Sequence, residues 1–187
     1  FALRRAALGI IAILEDGLPV SLMGAIDRAL DSYESEGLSF DRAAVRAAVI
    51  EFFVTRTRVM LRDSGCESDA IDAVLAAGVA EPAEILRRVR SLEDARNNAP
   101  DTFNDLATAY ARANNLRDAS LGTEVDEGLI NEVEHALFCA VVQAEGRVAR
   151  ALEADDYQAA LSELAGLRKP VDMFFERIMV MDEDQKL

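Results

Sequence analysis

The sequence of 187 residues has few of the residues from which most catalytic and metal sites are built. It contains two cysteines, one histidine, no tryptophan and four prolines. Two thiols without close spacing form neither a disulfide framework nor a zinc site. We therefore expect Cys66 and Cys139 to be reduced thiols of a cytoplasmic protein. A Ser/His/Asp or Cys/His catalytic group would have to use His135, which we place on the surface of a helix.

Sequence signatures of enzymes are missing as well. There is no HExxH motif, no glycine-rich phosphate loop followed by Lys-Ser/Thr and no dinucleotide-binding fingerprint. The acidic run at residues 182–184 lacks the alternating oxygen ligands around a glycine that a calcium loop needs, and we expect a solvated tail there. The sequence thus predicts no catalytic residue, no metal site and no cofactor held by this chain.

Long hydrophobic runs are also absent. No apolar segment approaches the roughly 20 residues needed to cross a bilayer, and no charged-then-apolar signal segment opens the chain. These patterns favour a cytoplasmic protein without a membrane partner. Because the chain opens with Phe1 rather than Met, we expect it to be part of something longer.

Lysine is almost absent from a chain that is strongly acidic. Lys169 and Lys186 are the only lysines among 20 basic residues, and 34 acidic residues give a net charge of −14. A nonspecific nucleic-acid binder would normally be basic. Arginine suits buried ion pairs and RNA contacts alike, so composition leaves both uses of the arginines open.

Helical periodicity covers almost the whole chain. Apolar residues recur at spacings of three and four in about eight or nine segments, and no stretch alternates convincingly as a strand would. The pattern predicts an all-α helical bundle, either one domain over residues 1–187 or two lobes over 1–98 and 99–187. The clearest loop is 119–128. The predicted stops, in chain order, are Gly17, Gly37, Gly65, Gly78, Asn114-Asn115 and Asp155-Asp156.

The third predicted helix carries an arginine within its apolar stripe. Arg56 lies one turn after Phe52, where a charge is costly to desolvate unless it is paired. We expect a structural ion pair with Asp72 or Asp94; the alternative is a rim arginine that reaches a ligand phosphate. The rest of the predicted stripe is Val45, Val49, Phe53, Val59 and Met60.

Other arginines and two tyrosines are candidates for an RNA contact. Arg58 and Arg62 lie on another face of the third helix, and Arg112 and Arg117 lie near the end of the sixth. Exposed arginines beside a helix end can contact phosphate, although they are more often solvated charges. The candidate stacking platforms for RNA bases are Tyr33 and Tyr110, but Tyr110 is in phase with the core and we expect it to pack there.

Four segments give the chain a family resemblance. They are FALRRAALGIIAIL, EFFVTRTRVMLRDSG, FNDLATAYARANNLRD and YQAALSELAGLRKPVDMFFERIMVMDED, in that order. Together they resemble the C-terminal region of the β subunit of bacterial glycyl-tRNA synthetase, over essentially all 187 residues. The most specific of these motifs is PVDMFFERIMVMDED.

The resemblance implies a helical anticodon-binding domain of the DALR type. It also implies an α/β enzyme in which the α subunit activates glycine with ATP and Mg²⁺, while the β subunit serves tRNA recognition. The partners implied are glycine tRNA, the α subunit and the upstream domains of the β subunit.

Some positions can be carried over from the family to this chain. Arg56 and Arg58 match the arginines of the family's third motif helix. Arg112 and Asn115 match the arginine and asparagine of a segment similar to KRxxNI. This chain departs from that segment, because Ala111 stands where a basic residue is expected and Asn114 where a small one is expected.

Two functions follow as hypotheses. The first is recognition of the tRNA anticodon arm through Arg58, Arg62, Arg112, Asn115 and Arg117. The second is a structural or assembly module of the same enzyme that makes no base contacts. Arginines clustered away from carboxylates would favour the first, and arginines that are paired and scattered would favour the second.

Overall fold

The chain folds into helices wherever its structure is described. The computed structural model describes residues 2–118, 120 and 122–178, so the acidic run at 182–184 lies outside the described residues. These residues form nine α-helices and no strand, which confirms the all-α class. None of these helices is long and apolar enough to span a membrane. The helices are α1 (Ala2–Glu15), α2 (Leu22–Ser35), α3 (Arg42–Asp63), α4 (Ser68–Ala76), α5 (Pro82–Asn98), α6 (Pro100–Asn115), α7 (Glu132–Glu153), α8 (Tyr157–Ala165) and α9 (Arg168–Arg177).

Local sequence sets most helix ends. The predicted glycine stops are confirmed, because Gly17, Gly37, Gly65 and Gly78 all have φ between 80° and 92°, a region that glycine enters without steric cost. The left-handed asparagine cap predicted for α6 is wrong. The helix runs through Asn115 and ends at Leu116, whose φ is −107°. At the predicted break after α7, Asp155 takes the left-handed conformation with φ 56°.

The chain divides into two compact units, and the boundary falls after Glu93, inside α5. In the first unit α1, α2 and α4 each pack against α3. The fully buried aliphatic side chains of its core come from α1, α3, α4 and α5: Ile11, Leu61, Ile71, Ile85, Leu86 and Val89.

The apolar stripe predicted for α3 is only partly right. The buried positions on this helix are Phe53, Thr57 and Leu61, which are spaced four residues apart. Val45 and Val59 are 37% and 48% exposed. Apolar residues occur around much of the helix, so spacing alone does not identify the face that its neighbours cover. The buried Thr57 hydroxyl donates a hydrogen bond to the Phe53 carbonyl at 3.1 Å.

The second unit is built from α6 to α9. Helices α8 and α9 each pack against both α6 and α7. Buried residues on these four helices are small, namely Ala109, Ala144, Ala160, Ala165 and Val171. Small side chains allow helix backbones to approach closely. This packing fixes α9 against α6 on one side and α7 on the other.

Candidate nucleic-acid interface

Arg56 is half-buried, but its guanidinium is satisfied differently from the sequence prediction. It donates a hydrogen bond to the Phe52 carbonyl at 2.8 Å and lies 3.5 Å above the centroid of the Phe52 ring. The carboxylates expected to pair with it have other partners: Asp72 bonds Arg58, and Asp94 accepts from Asn98 and Gln158. The predicted ion pair is therefore replaced by a contact within α3, because the neighbouring aromatic face and carbonyl lie one turn away.

The two other candidate arginines of α3 differ in their surroundings. The Arg58 guanidinium lies 2.9 Å from the Asp72 carboxylate on α4, which ties the two helices together. Arg62 is exposed one turn later, and it has no carboxylate partner among residues 2–118, 120 and 122–178. Of this pair, Arg62 is the one whose charge is available to a ligand.

Arg112 connects two helices of the second unit. Its guanidinium forms an ion pair with Asp172 on α9 and lies 5.6 Å from the Phe175 ring centroid. Asp172 also accepts from Arg168 one turn earlier on α9. The hydrogen bond from Arg168, assisted by Arg112, lowers the pKa of the Asp172 carboxyl below its usual 3.8. Arg112 is therefore engaged in holding α6 against α9.

The C-terminal end of α6 presents exposed polar and aromatic groups. Asn115 and Arg117 are exposed, and within the described residues Arg117 has no carboxylate partner. Tyr110 is 66% exposed, so the expectation that it packs in the core is wrong. Tyr110 lies within the last two turns of α6, whereas Arg117 follows the end of the helix at Asn115. The end of α6 and the residues just after it therefore expose an aromatic ring, an amide and a cation.

Many of the other arginines serve internal ion pairs. Arg42 lies 2.7 Å from Asp31 and Arg46 lies 2.7 Å from Asp27, so α2 and α3 are linked by a charged network. The hydrogen bond from Arg46 lowers the pKa of the Asp27 carboxyl. In the second unit Arg147 bonds Glu163 at 2.6 Å.

His135 lies on the surface of α7, as the sequence predicts. Its ring nitrogens are 3.6 and 3.8 Å from the Cys139 sulfur, and Nε2 is 3.8 Å from Glu127. Within the described part of the chain, no group of three or more histidine, cysteine or acidic side chains is placed to hold a metal.

An open apolar face covers one side of the first unit. Two grooves flank α3, one against α1 and one against α2, and they share Val45 and Val49. Leu3 and Ile10 line the first groove, while Tyr33 lines the second. Contiguous apolar surface of this kind typically marks an interface.

Sequence reasoning missed two cations of the second unit. Lys169 and Arg177 border a cleft between α7 and α9. Both cations lie close in sequence to Pro170 and Met173, whose spacing of three residues places them on one face of a helix. This spacing was the signal available in the sequence. Without the α7 partner this pattern could not be told from an ordinary amphipathic helix.

Comparison with known proteins shows which proteins have a similar sequence. The chain is 38% identical over 189 residues to the glycine–tRNA ligase β subunit of Syntrophus aciditrophicus (strain SB). This alignment covers 100% of this chain and 27% of that protein. The corresponding protein of Vibrio cholerae (strain O395) is 39% identical over 192 residues, with the same coverage. The one from Desulforudis audaxviator (strain MP104C) is 36% identical, covering 98% of this chain and 27% of that protein. Over essentially its whole length the chain is similar to a segment of glycine–tRNA ligase β subunits.

The family model described as glycyl-tRNA synthetase beta subunit matches residues 1–76. This match takes in helices α1 to α4, including the open apolar face. The chain spans about a quarter of the length of the curated relatives it matches. This similarity confirms the resemblance drawn from the four sequence segments.

Proposed function

We propose that the chain recognises the anticodon arm of glycine tRNA as part of a cytoplasmic glycine–tRNA ligase, through a DALR-type helical unit. In this enzyme the α subunit would activate glycine with ATP and Mg²⁺. Unpaired anticodon bases can stack on aromatic or arginine planes and be read along their edges. The observation that carries the proposal is the exposed end of α6, where Tyr110 and Arg117 accompany Asn115.

The candidate arginines have different roles in this proposal. Arg58 and Arg112 hold helices together through Asp72 and Asp172, so we assign them to positioning rather than to direct contact. Arg62, Asn115 and Arg117 keep the role of ligand contacts. The net charge of −14 opposes this function only over short range, because repulsion is screened over about 8 Å at physiological salt.

The test is the affinity of the 187-residue chain for glycine tRNA, measured by fluorescence anisotropy. We expect Tyr110→Ala to weaken binding about tenfold, since a stacked base contributes about 1–3 kcal/mol. Arg117→Ala should weaken it by about fivefold, as for an exposed charge pair. The matched control is Arg150→Ala, which removes the same charge from an exposed position on α7.

Anticodon variants of the tRNA should compete less well than the natural sequence. If Tyr110→Ala and Arg117→Ala bind as tightly as Arg150→Ala, the end of α6 is not the contact and the proposal fails.

A second candidate function is that of an assembly module without base contacts. The open apolar face on α1, α2 and α3 favours it, because Leu3, Ile10 and Val45 are exposed there. We assign this face to the remainder of a β subunit as long as the relatives, since the chain spans only 27% of them and the family match includes this face. If assembly is the sole function, the tRNA affinity of the chain is negligible and indifferent to Tyr110→Ala.

A further inference from the structure

The cleft between α7 and α9 has the dimensions of a small-ligand site. Its volume is about 410 Å³, within the range of about 300–1,000 Å³ typical of ligand pockets. Val133 and Leu137 contribute to it from α7, and Pro170 and Met173 contribute from α9. Met173 lines this apolar surface and is 46% exposed. The cleft therefore has apolar surface that the described residues do not cover.

Two cations stand at this cleft. Lys169 and Arg177 border it and are exposed, and neither forms an ion pair within the part of the chain that the structure describes. Neighbouring arginines of the unit behave differently, because Arg112 and Arg168 both bond Asp172. Eight residues separate Lys169 from Arg177, which is about 12 Å along a helix axis. They therefore bracket the cleft instead of sharing one anion.

An acceptor completes the set of groups. Glu132, at the start of α7, lies on the wall opposite the cations of α9. A carboxylate accepts hydrogen bonds from an exocyclic amino group, as it does from cytosine in nucleic acids. The same carboxylate disfavours a bare phosphate beside it. A ligand that matches all three features has an apolar planar part, an anionic group and an amino group.

We propose that the α7–α9 cleft binds a ribonucleotide. Its base lies over Pro170 and Met173, its phosphate contacts Lys169 or Arg177, and its amino group donates to Glu132. This inference rests on the proposed function when the nucleotide is part of a tRNA, because α9 also packs against α6. A free ribonucleotide has the same chemistry, so the experiment separates the two sources.

The Met173 methyl group provides a local probe. The 187-residue chain, labelled with ¹³C at its methionine methyls, is titrated with CMP, AMP, UMP and inorganic phosphate. We expect CMP and AMP at millimolar concentration to shift the Met173 signal, which Met173→Leu identifies. The signals of Met23 and Met60 in the first unit are expected to stay unchanged. Binding of UMP is expected to be weaker, and Glu132→Gln should remove that preference.

Charge variants test the cations at the cleft. Lys169→Gln and Arg177→Gln should each weaken CMP binding about fivefold, as expected for an exposed charge pair. Arg150→Gln, which removes a charge from an exposed position on α7, is the matched control and should have no effect. No Met173 shift with any nucleotide overturns the proposal, as does an equal shift with inorganic phosphate alone. Equal CMP affinity of Lys169→Gln, Arg177→Gln and Arg150→Gln also overturns it.

A single-stranded oligoribonucleotide and glycine tRNA distinguish the sources. If the cleft serves RNA, both shift Met173 at lower concentration than CMP does, and the charge variants weaken both. If only free nucleotides shift it, the link to RNA is wrong. Failure of the proposed function is seen separately, because tRNA binding that depends on Tyr110 but ignores Lys169→Gln leaves the α6 contact standing and removes only the cleft.

Discussion

At the scale of single residues, the arginines of this chain have distinct tasks. Some form ion pairs that join helices, as Arg58 does with Asp72. Arg56 instead packs on the ring of Phe52 within one helix. Others, such as Arg62 and Arg117, are exposed and have no carboxylate partner among the described residues. A guanidinium can serve all of these purposes because it is planar, permanently charged and rich in donors.

Substituting Arg56 and Arg62 in turn distinguishes an arginine of α3 that stabilises the fold from one that is available for binding. We expect Arg56→Ala to destabilise the chain by about 1 kcal/mol, the typical sum of a partly shielded cation–π contact and a weak hydrogen bond. This corresponds to a melting temperature lower by about 2–4 °C for a chain of this size. Arg62→Ala, its matched control, should leave thermal unfolding followed by circular dichroism unchanged. Equal melting temperatures for the two variants would show that Arg56 has no structural role.

Residue identity alone could not predict these environments. The half-buried position of Arg56 follows from its spacing after Phe52. The group that contacts its guanidinium depends on which neighbours lie within reach in the folded chain. For the same reason Tyr110 is in phase with apolar residues of α6 yet 66% exposed. Its helix is covered by α8 and α9, and the sequence of α6 does not state how far that cover extends.

At the scale of helices, the ends were predictable and the pairings were not. A left-handed glycine or a first-turn proline acts through its own backbone, so the stops at Gly17, Gly37, Gly65 and Gly78 could be predicted from sequence. Which helices pack together depends on tertiary contacts between distant segments. The ion pair between Arg112 on α6 and Asp172 on α9, sixty residues apart, has no local signal.

The same ion pair predicts how acid affects the second unit. Arg168 and Arg112 lower the pKa of Asp172 below 3.8 in the folded chain. The carboxylate therefore stabilises the fold above the unfolded pKa of about 3.9, and this contribution is lost as the pH falls through the lower folded pKa. We expect Asp172→Asn to lose less stability than the parent chain between about pH 5 and pH 2.

The measurement for Asp172 is urea unfolding as a function of pH. Asp105→Asn, at an exposed position on α6, is the control and should keep the acid dependence of the parent chain. Parallel pH profiles for the parent and Asp172→Asn would contradict the coupling of α6 to α9 through this carboxylate.

At the scale of the whole molecule, an acidic surface coexists with small cationic and apolar areas. The net charge of −14 excludes broad attraction to nucleic acid, so any RNA contact must be local and must gain from stacking. The open face on α1 to α3 and the exposed end of α6 lie in different units. Composition predicted the acidity, but only the folded chain identifies which cations remain unpaired within the described residues.

The most direct test of this account is the salt dependence of the affinity for glycine tRNA. Neutralising a phosphate releases counterions, which gives a slope of log K against log salt of about −0.7 per contact on single-stranded nucleic acid. With two to four cations engaged from among Arg62, Arg117, Lys169 and Arg177, we expect a slope between about −1.5 and −3, together with preference for the natural anticodon. A flat response without anticodon preference would contradict recognition of tRNA by this chain.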